Sequence, residues 1–552
     1  MHSHPSQTEI RDATNQRSAP SHTTHSGTGP PSWIALVIPS VTDLIFILLL
    51  VSLSYGVLSP RLLGDAGTGW HIRNGEQILR MHAVPHTDSF SSTMTGKPWY
   101  AWEWLYDLAA GTIHEKAGLN GVVFLTAVLI ALTFTLLFRL LIERGTSLPV
   151  ALFFVLLVTM ASSIHFLARP HIVSWLFTLT WLPVLDSIWL AKGSSNRDNM
   201  RLYWLPGLML LWVNLHGGFL IGFVLLGIFL LAAIIERFTF TDPEETRAAG
   251  KRVRVLALTS GFCLLVSFLN PYGYKLYSHL YAYLANGFLM DHIEEFQSPN
   301  FHGAAPKCFA VLLLLAILTL AIRRRVPPLS HIFLLIFATY AGLYASRNIP
   351  IASILIAVVI APLLSGWIED AVEGRESRWR TLRLGVSSFS ARMGHMESRL
   401  QWHLWPAILI LVSVWICAHH GRLASRQVLN ATFDQKRFPV HAVDMILKRQ
   451  VHEPIFTLDS WGGFLIYRLY PQTKVVVDDR HDLYGEQLLK DYLKIIHVEW
   501  RWQEMLDGWN VDWVLMPANS ALSSILKQTP HWRIVQDDGN AILFQREAQG
   551  NR

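Results

Sequence analysis

Apolar residues in this chain gather into long runs, most of them close to the 18 to 25 residues that carry a helix across a ~30 Å hydrocarbon layer. The first run covers 33–57; others fall near 120–142, 147–166, 171–192, 203–215, 217–236, 253–270, 306–322, 329–346, 349–367 and 403–420. This pattern predicts an α-helical polytopic membrane protein with about eleven transmembrane helices. The first run is too long and too far from the start for a cleaved signal segment, so it is expected to be a retained span. Asn214 to Gly218 reads either as a tight turn between two spans or as a break within one long segment.

The polar positions divide the remainder. Residues 1–32 are rich in Ser, Thr, His and Pro and offer nothing to bury, which predicts a disordered cytoplasmic tail. Two connections inside the 33–421 membrane domain are long, 58–119 and 271–305. Beyond 421 the pattern changes to short apolar strands, 455–459, 474–479, 512–516, 532–536 and 541–545. Helical stretches near 440–450, 483–496, 499–508 and 519–528 alternate with them. The 422–552 segment is therefore predicted to be a soluble α/β domain, closing in a hairpin at Asp538-Gly539.

Lys and Arg cluster in alternate connections: Arg139 and Arg144; Lys192, Arg197 and Arg201; Arg247, Lys251, Arg252 and Arg254; Arg323 to Arg325; and Arg375 to Arg399. Basic residues stay in cytoplasmic loops, so the N-terminus is expected inside and the terminal domain outside, an extracytoplasmic placement that the odd span number requires. The same distribution accounts for the formal charge of +6 without a nucleic-acid partner. Across 552 residues, 51% hydrophobic and only 16% charged side chains exclude an ordinary soluble or disordered chain. Cys263, Cys308 and Cys417 lie in or beside the spans, where they read as small core residues.

The densest chemistry follows the first span. Asp65 stands between Gly64 and Gly67, which allow backbone close to a ligand. An amphipathic helix opens at Gly69, Trp70 and His71, and a second covers about Trp99 to Lys116; both are expected on the bilayer surface with their aromatic residues at headgroup depth. Asp88 reads equally as a functional acid or a turn former. Glu103, between two tryptophans, must pair with a cation, bind a metal, or face a polar cleft. Asp65, Asp88, Glu103 and His71 could supply a divalent-cation site (Mg or Mn), although carboxylates scattered over some forty positions have no fixed ligand spacing.

Polar side chains recur at the outer ends of other spans: Arg169 and His171, Asn214 and His216, Asn270 and Tyr272, and Arg347 and Asn348. Their convergence predicts a polar substrate-binding cavity on the same side as Asp65. Arg169 and Arg347 are the candidates for gripping a phosphate through forked hydrogen bonds; the rival reading is snorkelling or interhelical hydrogen bonding. The tyrosines from Tyr272 to Tyr283 read as an interfacial band, and Asp291, Glu294 and Glu295 as a solvated helix face. In "VVVDDRHDLYG", Asp478, Asp479 and Arg480 sit at a strand end, where an internal salt bridge and ligand contact both fit.

An early aspartate in a first outer loop with two interfacial helices, about eleven spans and a terminal extracytoplasmic domain resembles the GT-C superfamily of membrane glycosyltransferases. That superfamily includes oligosaccharyltransferases, protein O-mannosyltransferases and aminoarabinose transferases. "GDAGTGWHIRNG", "VPHTDSFS", "WEWL", "WVNLHGGF", "NPYG", "SRNIP" and "VVVDDRHDLYG" look like a bacterial group of GT-C-like membrane proteins. The resemblance implies a polyprenyl-phosphate sugar donor, membrane lipids as surroundings, and inverting transfer to a glycan, lipid or protein acceptor outside a bacterial inner membrane. It also implies that Asp65 is the base, with Asp88 and Glu103 beside it, and that a divalent cation serves in some relatives. A transporter or lipid flippase is the alternative, expected to show internal repeats and charges at mid-membrane; a third reading is a scaffold with a partner-binding outer domain.

Overall fold

The computed structural model describes residues 37–56, 58–190, 202–322, 327–373 and 403–547, with a few isolated positions between 385 and 400. The predicted tail 1–32, and most of the basic connections near 192–201, 323–325 and 374–402, lie outside the described residues. Each predicted span has a helix: Val41–Ser54, Trp104–Glu143, Leu148–Ser162, His171–Leu190, Trp204–Leu215, Phe219–Thr239, Pro243–Ser267, Ala304–Ile322, Leu329–Tyr344, Ile349–Glu373 and Leu404–Ala418. Among the described residues, six helical stretches are long and apolar enough to cross a membrane, and four shorter helices are apolar too. The protein is a helical polytopic membrane protein with a terminal α/β domain.

Local chemistry sets the helix ends. Ser40 caps the first helix and Asp43 returns the bond to the Ser40 backbone, a reciprocal pairing that satisfies two orphan donors. Asp242 caps Pro243–Ser267, with proline at its first position. Asn214 to Gly218 forms a turn: one helix stops at Leu215, His216 is extended, and the next begins at Phe219. The 40-residue helix Trp104–Glu143 is broken at Gly118, whose φ of 60° and ψ of −158° separate an outer segment from the span proper.

The terminal domain opens with a two-residue ribbon, β1 (Arg422–Leu423) and β2 (Arg426–Gln427). Its sheet contains β3 (Ile455–Thr457), β4 (Trp513–Pro517), β5 (Trp532–Asp537) and β6 (Ala541–Arg546), in the order β3-β4-β6-β5. β3 and β4 are parallel and the other pairs antiparallel, with β5 and β6 joined through Gly539 at φ 80°. Residues 474–479 form no regular strand. Val475 makes single bridges to Ile455 and to Ser91 of the first loop, so this stretch joins two parts of the molecule.

The first-loop helix Gly67–Met81 packs between the 104–117 segment and the terminal-domain helix Asp459–Leu469, and Trp70 and Trp99 are buried. Glycines permit this approach: a Cβ on Gly75 would overlap the Asp107 carbonyl oxygen, and one on Gly69 the Gly463 carbonyl oxygen. Trp70 and Trp99 thus pack inside the protein, where the loop meets the terminal domain.

Candidate active site

Where the first loop, the outer ends of the spans and the terminal domain meet, they enclose a cavity of about 680 Å³. Asp65, Glu103 and Asp107 line it from the loop, Arg169, Glu295 and Arg347 from the connections between spans, and Arg437, Asp459, Asp479 and His481 from the terminal domain.

Asp65 lies two residues before the Gly67–Met81 helix, and its Oδ1 accepts a 2.7 Å hydrogen bond from the Gly67 amide. Its Oδ2 is 3.1 Å from Arg169 Nη1, while Arg169 Nη2 is 3.5 Å from Asp479 Oδ2. Arg169 thus joins a loop carboxylate to a terminal-domain carboxylate. Only a hydrogen at Gly67 fits between the two acids, since a Cβ there would be 2.5 Å from Asp479 Oδ2 and 2.9 Å from Asp65 Oδ1. Arg347 pairs with Glu295 at 3.2 Å and stacks 4.5 Å over the Phe296 ring. Burial works to raise the Glu295 carboxyl, but Arg347 and Arg169 outweigh it and hold the group at about 2.

Glu103 has a different environment. Its carboxyl is 3.8 Å from His71 Nε2 and 3.5 Å from His216 Nε2, and burial, reinforced by Asp107, raises it to about 8. Burial, with Arg169 next for His71 and Arg347 next for His216, lowers both imidazoles well below their usual value. Glu103 is therefore a protonated acid beside two neutral rings at pH 7. His71 Nδ1 is held at 2.6 Å by Asp107, and His216 Nδ1 at 2.7 Å by the Ser174 hydroxyl, so second contacts fix both rings. The cleft-facing reading of Glu103 fits this geometry.

Asp88 is placed elsewhere. It is fully buried, 2.8 Å from Arg480 Nη1, and accepts from the Ser91 amide and hydroxyl. Burial would raise its carboxyl, but Arg480 overrides it and the net shift is downward. With its oxygens occupied and no face on the cavity, Asp88 is a counter-ion instead of a reacting acid. The four candidate metal ligands do not converge: Asp88 faces away, Asp65 is paired with Arg169, and only His71 and Glu103 are neighbours. Among the described residues no group of three or more His, Cys, Asp or Glu is placed to hold a metal ion, and no step below is routed through one.

Five predicted binding residues serve the scaffold. His171 Nε2 is 2.8 Å from the His165 carbonyl. Asn214 accepts from Trp104 Nε1 and donates to Leu269 O. Asn270 closes its own turn by accepting from the Tyr272 amide, and Asn348 donates to Ala341 O. The Tyr272 hydroxyl donates to Pro85 O and accepts from the Ala101 amide, fastening the 271–305 connection to the first loop. These contacts shape the cavity from behind.

Sequence reasoning missed Glu295, Arg437, Asp459 and His481, and left Asp479 open between an internal salt bridge and ligand contact. Glu295 reads locally as a solvated face, and only the distant Arg347 reveals its role. His481 Nε2 is 2.9 Å from Asp459 Oδ2; burial opposes protonation, but Asp459 prevails and raises the imidazole. Burial raises the Asp479 carboxyl to about 7, opposed by Arg169 and assisted by Asp65 and Asp478. The signal for Asp479 and His481 was the Asp-Asp-Arg-His-Asp run itself, at the end of an apolar stretch; Arg437 and Asp459 lie outside that run.

No protein-family model matches the sequence, and no curated protein does. Solved structures match over nearly the whole chain. The oligosaccharyltransferase AglB of Archaeoglobus fulgidus, in complex with an inhibitory peptide and a dolichol-phosphate, superposes with a TM-score of 0.52 at 13% identity, covering 92% of this chain and 74% of that one. The same enzyme tethered to an acceptor peptide containing the NVT sequon gives 0.51 at 13%, covering 86% and 68%. ArnT of Cupriavidus metallidurans bound to undecaprenyl phosphate gives 0.51 at 12%, covering 95% and 100%. At such identities the likeness is one of fold, which this chain shares with the AglB and ArnT structures.

Proposed function

We propose that this protein transfers a sugar from a polyprenyl-phosphate-linked donor to an acceptor on the extracytoplasmic face of a bacterial inner membrane. The observation that carries this reading is the placement of Asp65, Arg169 and Arg347 around one cavity at the outer ends of the spans. Two guanidinium groups suit a lipid-linked phosphate, the ligand chemistry of the AglB and ArnT structures. Both are held by carboxylates, through Asp65 and Glu295, so an incoming phosphate competes for cations already desolvated and oriented.

The residues support an inverting displacement. The acceptor oxygen attacks the anomeric carbon from the face opposite the phosphate; the new C–O bond forms as the bond to the phosphate oxygen breaks, and that electron pair leaves with the phosphate. The acceptor's proton passes to Asp65. Arg169 and the Gly67 amide hold the two oxygens of the Asp65 carboxylate in place beside the cavity. Enclosure by loop, spans and terminal domain limits competing water.

The test is turnover of labelled polyprenyl-phosphate sugars by purified wild type and Asp65→Asn, with product formation and donor consumption both measured. The variant should transfer about 100-fold more slowly or worse, the range for a lost general base. Equal turnover would remove Asp65 from this role. Absence of transfer by wild type, with vectorial movement of lipid in vesicles, would favour the flippase reading.

A further inference from the structure

We propose that Asp479, from the terminal domain, is the acceptor-positioning residue of the cavity, its carboxylate receiving a hydrogen bond from an acceptor hydroxyl next to the nucleophilic one, while the nucleophile's own proton passes to Asp65. The inference rests on the sugar-transfer reading above and adds a residue, and a division of the cavity, to it.

The two walls differ in what they offer. The wall built by connections between spans presents Arg169 and Arg347, complementary to a lipid phosphate that arrives along the bilayer. The terminal-domain side presents Asp459, Ser460, Asp479, His481 and Asp482 together with Arg437 and Arg480; Arg480 is taken up by Asp88 and Asp478, and the three carboxylates can accept from the hydroxyls of an incoming acceptor. Asp479 is close to Asp65: both flank Gly67, and both reach Arg169. An acceptor held between them would meet two carboxylates at once, Asp479 accepting from a neighbouring hydroxyl to fix the acceptor's orientation and Asp65 accepting the proton of the nucleophilic one. Asp479 also has unmet hydrogen-bonding capacity. Its Oδ1 is buried and has no partner among the described residues, although the side chain lines the cavity. A turn of the carboxyl about its Cβ–Cγ bond exchanges that oxygen with the cavity-facing one, and an unsatisfied buried oxygen is costly enough to favour a bound donor.

A residue that only braced Arg169 would, when changed, slow every reaction of the donor equally. One that positions the acceptor governs how the sugar is partitioned between acceptor and water. The full-length wild type, Asp479→Asn and Asp479→Glu would be assayed in membrane vesicles of the natural host, which hold the natural acceptor, with labelled undecaprenyl-phosphate hexose as probe. Label in product and label released as free sugar are counted separately. For Asp479→Asn, transfer should fall at least 30-fold while hydrolysis stays within threefold of wild type, and Asp479→Glu should recover part of the transfer. Transfer within threefold of wild type, or equal loss of transfer and hydrolysis, would overturn the role of Asp479 and leave the sugar-transfer reading standing. Failure of wild type to consume any labelled donor would overturn both.

Discussion

A carboxylic acid set between two neutral imidazoles has little to stabilise its negative charge, and Glu103 is in that position. Arg169 and Arg347 lower its affinity for a proton, but burial and Asp107 prevail, moving the group from 4.5 to about 8. An acid whose folded value is raised contributes stability that is fully present below the unfolded value and is lost as pH climbs through the folded one. Wild type should therefore lose thermal stability between pH 4.5 and 8 relative to Glu103→Gln, whose amide keeps the shape without the charge. At pH 8 the variant should be the more stable by about 1–3 kcal/mol, the usual cost of a buried polar group left unsatisfied. Asp479, raised to about 7, adds a slope of the same sign to both proteins, so the difference between them isolates Glu103. Melting curves in detergent across that range check this; parallel curves would show that Glu103 stays ionised.

The helix Gly67–Met81 carries Asp65 at its entrance and is held by backbone contacts on two sides, against Asp107 and Gly111 on one and Gly463 on the other. Gly75→Val should therefore cost about 3 kcal/mol or more through overpacking. Gly207→Ala, in a helix where an added Cβ meets nothing within 4 Å, should be neutral or stabilising by up to ~1 kcal/mol. Comparing the two melting temperatures separates close packing from a general intolerance of glycine replacement. The spans were legible because lipid requires each crossing segment to be continuously apolar, and every such run in the sequence became a helix. The terminal-domain helix Asp459–Leu469 was not legible, since Trp461-Gly462-Gly463 reads locally as a turn. Those glycines sit in a helix because Asp478 presses on Gly462 and Ala66 on Gly463, neighbours that only the tertiary structure supplies. The same reason hid part of the site: Asp65, Glu103, Arg169 and Arg347 stand out beside apolar runs and Asp479 at the end of one, whereas Glu295 lies in polar surroundings and acquires its partner only on folding.

At the scale of the whole molecule, the outer loop and the terminal domain form one body above the bundle. The Thr93 hydroxyl donates to Val476 O, the Ser92 amide to Val475 O, and His279 meets Asp482 at 3.1 Å. The reading places this body outside and the basic ends of the spans in the cytoplasm, so reporter fusions at Lys251 and at the C-terminus should report opposite sides; the same side for both would reverse the topology. The joint itself centres on Arg480. Its guanidinium is 2.8 Å from Asp88 of the loop and 2.7 Å from Asp478 of its own domain, and the Trp99 ring lies 4.6 Å from it. All three charges are buried, so none can recover its interaction from water. Arg480→Met would leave two carboxylates enclosed without a cation, a loss of ~3–5 kcal/mol for a broken buried pair. Because Asp88 belongs to the first loop and Asp478 to the terminal domain, the penalty should fall on their docking more than on either core. Hydrogen exchange should therefore quicken at residues 87–98 and 474–480 together, while β4 and β6 in the middle of the sheet keep their protection. Adding Asp88→Asn should restore part of the docking, since it removes one stranded charge. If exchange quickens across the whole terminal domain instead, Arg480 supports that domain's own folding; if it quickens nowhere, the buried triad contributes nothing to the joint.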